Sequence, residues 1–76
     1  MSDITIEQIL ADLIIFDEPE VVTNPLSGAS CTLEPEAVAL YDFIMGCQIF
    51  EEYKLMRVAL DYFMEKWPGE YMILLD

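Results

Sequence analysis

Histidine is absent from this 76-residue chain, and lysine and arginine together number only three. Without imidazole, the commonest general base and metal ligand is missing. Three bases cannot cluster to neutralise a run of phosphates, which argues against direct DNA or RNA binding. They also offer little to an anionic membrane surface. The two cysteines, Cys31 and Cys47, form no CxxC pair and have no histidine to complete a zinc site. Long apolar runs are lacking too. The densest stretch, residues 37–50, is interrupted by Asp42, Gly46 and Gln48, whereas a membrane-spanning helix needs about 20 predominantly apolar residues. Met1, Ser2 and Asp3 open acidic where a secretion signal opens basic. The expectation is a reduced, cytoplasmic protein with no metal and no cofactor.

What is present is acid and oil. Fifteen Asp and Glu set a formal net charge of −12, and eleven of them fall in residues 1–53, which hold no base. All three bases, Lys54, Arg57 and Lys66, lie in the remaining third. Such a field attracts basic protein surfaces, although solubility alone is a sufficient reason for it. Apolar residues make up 55% of the chain. A domain this small buries only about 60% of the surface its unfolded chain exposes, so part of the apolar excess is expected at an interface. Residues 1–76 read as one acidic domain, with a homodimer or an obligate protein partner expected.

The first helix is expected over about Ile6 to Ile15. Thr5 and Gln8 suit a capping box, and Ile6, Ile9, Leu10 and Leu13 share one helical face. Residues 17–33 read as a long ordered connection with Pro19, Asn24-Pro25 and a Ser-Gly-Ala-Ser run. Within it, Val21 and Val22 could pair with Cys31, Thr32 and Leu33 across the turn. The alternative is a loop pinned by its valines and Leu26. The second helix starts at Pro35, with Leu33 and Val38 as a hydrophobic staple, and Gly46 is expected to end or bend it. Its near-continuous apolarity marks a buried helix. The third helix is expected over about Glu51 to Lys66, with Tyr53, Met56, Leu60, Phe63 and Trp67 in seam spacing. Pro68 suits the start of a short closing helix, with a strand over Tyr71 to Leu75 as the competitor. The fold class expected is all-α: three main helices, a long ordered loop after the first, and a short docked C-terminal helix.

Few residues carry chemistry. Asp17, Glu18 and Glu20 lack the glycine and spaced oxygens of a calcium loop, and the Ser-Gly-Ala-Ser run has no following Lys to make a phosphate cradle. A catalytic role is not expected. Two constellations remain. The first is an acidic set: Asp12, Asp17, Glu18, Glu20, Glu34, Glu36, Glu51 and Glu52, with Asp3, Glu7 and Asp42 in the wider group. It is either a partner-binding face or a solvated surface. The second comprises Tyr53, Met56, Tyr62, Phe63, Trp67, Tyr71 and Met72, residue types enriched at interface centres but equally suited to a core.

The helix–long loop–helix plan resembles acyl carrier proteins, which hold a modifiable serine in an Asp-Ser-Leu motif at the start of their second helix. Here the region reads Ala-Ser-Cys-Thr-Leu (29–33), so the motif is missing. Residues 33–76, with Pro-Glu-Ala-Val-Ala-Leu-Tyr-Asp (35–42) and Trp-Pro-Gly-Glu-Tyr-Met-Ile-Leu-Leu-Asp (67–76), resemble small acidic proteins encoded by tailed phages. That resemblance implies no activity; it implies a virus-encoded protein in a host cytoplasm. The function expected is non-catalytic: binding and modulating a basic or nucleic-acid-binding host protein, with DNA mimicry as one route. The alternative is an assembly protein acting as a homo-oligomer, and an acyl-carrier-like role stands third.

Overall fold

The computed structural model describes residues 5–13, 15 and 17–75. In chain order the elements are α1 (Ile6–Asp12), β1 (Glu20–Thr23), β2 (Ser30–Leu33), α2 (Pro35–Ile49), α3 (Tyr53–Lys66) and α4 (Pro68–Leu74). The all-α expectation is therefore corrected: a two-stranded antiparallel sheet stands among four helices, and the fold is α+β. No helix among the described residues is long and apolar enough to cross a membrane.

The hairpin forms where β-branched residues gather, Val21, Val22 and Thr23 in β1 and Thr32 in β2. Val22 pairs with Cys31 and Glu20 with Leu33, so Cys31 and Leu33 face inward while Val21 and Thr32 face solvent. Leu33 is fully enclosed in the core. The loop over 24–29 closes because Gly28 adopts φ +79°, a region that costs a side-chain-bearing residue about 1–2 kcal/mol. Asn24 organises the rest. Its Oδ1 accepts from the Leu26 N–H at 2.9 Å, and its Nδ2 donates to the Ile73 carbonyl at 3.0 Å. A lone hairpin is marginal in water; this one is tied by a buried side chain to the end of α4. Leu26 pins nothing, since it is 95% exposed.

The capping box of α1 is present: Gln8 Oε1 accepts from the Thr5 N–H at 2.9 Å, and the Thr5 hydroxyl accepts from the Gln8 N–H at 3.4 Å. The helix ends at Asp12, earlier than expected, because Leu13 is extended (φ −72°, ψ 142°). Of the rest of the expected helix, Ile15 is not helical and Ile14 lies outside the described residues. Ile6, Ile9, Leu10 and Leu13 all pack on the core, as their spacing requires.

α2 begins at Pro35 and buries Ala37, Val38, Leu40, Tyr41, Ile44 and Cys47. Gly46 neither ends nor breaks it, for the helix runs on to Ile49. The end comes where the Glu52 N–H bonds the Cys47 carbonyl at 2.8 Å and the Glu51 N–H bonds the Gln48 carbonyl at 3.3 Å. These two bonds are the Schellman pattern. Its left-handed residue, usually glycine, is here Glu51 at φ +58°. That turn delays α3 to Tyr53. Phe63 and Trp67, tilted against each other at 5.2 Å between ring centroids, close the core from α3. Pro68 opens α4, which buries Leu74 and packs Tyr71 and Leu75 on the same cluster; the terminal-strand alternative is set aside. The molecule measures 40 × 26 × 21 Å. Two dimensions of about two helix diameters leave few positions that can be fully enclosed.

Candidate protein-binding surfaces

Pro35, Val38, Ala39 and Asp42 recur at i, i+3, i+4 and i+7, one stripe of α2. The segment carrying Asp17, Glu18, Pro19 and Glu20 lies alongside that stripe, and together they enclose a groove of ≈ 580 Å³. Four carboxylates line it over an apolar floor, and no base does. Asp42 thus joins Asp17, Glu18 and Glu20 from more than 20 residues away in the chain. The sequence reading had Asp42 only in the wider acidic group; its helical phase with Pro35 and Val38 was the available signal. No three acids or cysteines among the described residues converge tightly enough to hold a metal ion. The groove is an extended acidic lining.

The other expected acids lie elsewhere. Asp12 ends α1 and lines a different depression with Leu13, Phe43 and Leu55. Glu34 and Glu36 stand at the start of α2, where Glu36 Oε1 accepts from the Tyr62 hydroxyl at 3.1 Å. Glu51 and Glu52 lie past its far end, roughly 22 Å away at 1.5 Å per residue. The eight acids therefore do not make one face. Nothing is described for Asp3.

The bases are all on α3. Arg57 lies 3.7 Å from Asp61 in an exposed i,i+4 pair, and Lys66 stands 5.8 Å from the Tyr62 ring centroid. None of the three lines the acidic groove.

The aromatic and methionine set divides. Phe63 and Trp67 are core, with Tyr62 edge-on to Trp67 at 6.0 Å. Met56, Tyr62 and Tyr71 are half-buried, and Tyr53 and Met72 are exposed. Sequence reasoning missed the most exposed apolar residues, Leu26, Ile49 (76%) and Phe50 (77%). Each sits at a turn or a helix end, where periodicity carries no information.

Both thiols are held protonated. Burial pushes Cys31 up from its ordinary value, and the Glu70 carboxylate adds to the rise. Burial and then Glu52 do the same for Cys47. Thiols of this kind are poor nucleophiles at neutral pH. Burial raises Tyr62 as well, followed by its hydrogen bond to Glu36 and that carboxylate's charge; Lys66 opposes the rise. Ser30 opens β2, five residues before α2 begins, so no serine stands at that helix start in the acyl-carrier manner. No family model, curated protein or solved structure matches the chain.

Proposed function

We propose that this is a non-catalytic interaction protein that uses the groove between residues 17–20 and α2 to hold a basic surface of another protein. One observation supports the reading above the rest: Asp17, Glu18, Glu20 and Asp42 line one groove, while every base of the chain is on α3. Unneutralised carboxylates over an apolar floor suit a lysine- or arginine-bearing segment, whose charged ends meet the acids while its methylenes cover Val38 and Ala39. A partner that normally holds nucleic acid presents such a surface, and occupying it inhibits that partner. The resemblance of residues 33–76 to tailed-phage proteins favours a bacterial host factor as the target.

The test is titration with an arginine- and lysine-rich peptide, followed by calorimetry. Affinity is expected to fall at least tenfold between about 0.05 and 0.5 M NaCl, because exposed charges are screened over a Debye length. The variant Asp17→Asn/Glu18→Gln/Glu20→Gln/Asp42→Asn is expected to lose most of the binding, whereas Glu51→Gln/Glu52→Gln keeps it. Equal loss in the two variants would reduce the effect to net charge and refute a groove-specific site.

A further inference from the structure

A second groove, of ≈ 550 Å³, runs between α2, α3, the end of α4 and the hairpin loop. Its α2 wall is the stripe Tyr41, Met45 and Gln48, which Ile49 continues in phase; its α3 wall includes Tyr53 and Met56. Among the described residues no Asp, Glu, Lys or Arg lines it, in a chain of net charge −12. The apolar depressions on the opposite side of α2 and α3 differ in this respect, since they carry Asp12 and Glu52. On the rim of the uncharged groove stands Leu26, 95% exposed at the tip of the hairpin loop.

We propose that a second copy of this chain occupies this groove, each copy inserting Leu26 into the other. Three features carry the inference. A twofold interface must be self-complementary, so the projection and its receptor have to sit on one patch; Leu26 and the groove do. Two strongly acidic molecules can meet without opposing carboxylates only across a surface free of them, and the described residues of this groove make such a surface. The area also suffices. Leu26, Ile49 and Tyr53, 95%, 76% and 59% exposed, together with the half-exposed walls, offer roughly 600 Å² per copy, or about 1,200 Å² over the pair, the lower end of the range for stable complexes. The Asx turn at Asn24 holds the Leu26 backbone in place beforehand, so little ordering is lost on association. This surface is separate from the acidic groove, and either can fail without the other.

Sedimentation equilibrium over about 1–200 µM tests it at about 0.05 and 0.5 M NaCl. The wild-type chain is expected to be a reversible dimer that tightens at least threefold with salt, because screening relieves repulsion between like charges; this is the opposite sign to binding through the acidic groove. Leu26→Asp should weaken the dimer at least thirtyfold without changing the thermal unfolding of the monomer. Val21→Asp adds the same charge on the exposed face of β1 and should leave the dimer within threefold of wild type. A monomer at the highest concentration and salt overturns the proposal. So does a dimer indifferent to Leu26→Asp, one that weakens with salt, or one lost equally in both variants.

Discussion

Replacing Glu51 with glycine should stabilise the protein, although it removes a side chain and adds no contact. Glu51 holds φ +58° as the left-handed residue that ends α2. The crowding of Cβ against the carbonyl oxygen costs about 1–2 kcal/mol in this region for a residue other than glycine. Glycine removes that cost but has more unfolded freedom to lose, about 0.5–1 kcal/mol. The net from the backbone is a gain of about 0.5–1 kcal/mol. A second, smaller gain comes from charge: the residue stands at the negative pole of α2, within a chain of net charge −12. Glu51→Gln isolates it, since glutamine keeps the Cβ and loses the charge. Urea unfolding followed by circular dichroism should therefore rank glycine above glutamine above wild type. At about 4–8 °C per kcal/mol for a domain this size, the glycine variant should melt several degrees higher. If glycine gained no more than glutamine, the Schellman turn would carry no strain, and the reasoning would be wrong.

Asn24→Asp is nearly isosteric and should be among the most damaging single changes. It removes the Nδ2 donor that reaches the Ile73 carbonyl at 3.0 Å and sets a carboxylate oxygen against that carbonyl at a largely buried position. The loss should be about 2–3 kcal/mol at pH 7, and hydrogen exchange should rise in the hairpin and α4 together; confinement to one of them would deny the tie. A pH series gives a separate check. Cys31, Cys47 and Tyr62 are all raised above ordinary values of 9.0, 9.0 and 10.0. Below those values folded and unfolded chains are equally protonated, and above them the unfolded chain releases its protons first, so stability falls with rising pH. The urea midpoint should hold up to about pH 9 and decline beyond it; a flat midpoint through about pH 10.5 would contradict the burial of these groups.

Three of the four helices were legible because each has a chemical signal at its start; α3 has none and begins two residues later than expected. Thr5 with Gln8, Pro35 after Leu33, and Pro68 after Trp67 all mark starts that the structure contains. Their ends were harder to read. Gly46 looked like a stop or a bend and the helix continues through it, while the true stop uses Glu51, a residue with no intrinsic taste for the left-handed region. Cooperative burial of Tyr41, Ile44 and Cys47 carries α2 past the glycine, since the helix cost of a single Gly is only about 1 kcal/mol. The hairpin was legible in Val21, Val22 and Cys31–Leu33, with an ordered loop as its alternative, and the structure contains it. What no local pattern encodes is the tie that anchors it, Asn24 reaching Ile73 across 49 residues. The acidic set was legible as composition but not as geography. Only the path of residues 17–20 along α2 separates a groove from scattered surface charge.

The two surfaces place opposite demands on the same charge. The 17–20 segment and Asp42 gather carboxylates with no base among the groove's described residues, so the groove holds self-repulsion that a cationic segment would relieve. Any such ligand that binds only the folded chain must stabilise it, by about 2.7 kcal/mol at a hundredfold excess over its dissociation constant. The groove below Leu26 gains nothing from cations directly, because no ionised group among the described residues lines it. Its benefit comes indirectly: a basic partner seated at residues 17–20 lowers the net charge of each copy and so lowers the repulsion between copies. Binding of a basic partner and self-association should therefore reinforce each other at low salt and become independent once salt has screened both. With both proposed surfaces in use, a chain holding eleven of its fifteen acids in its first 53 residues would acquire cooperativity from electrostatics alone, with no change of conformation required.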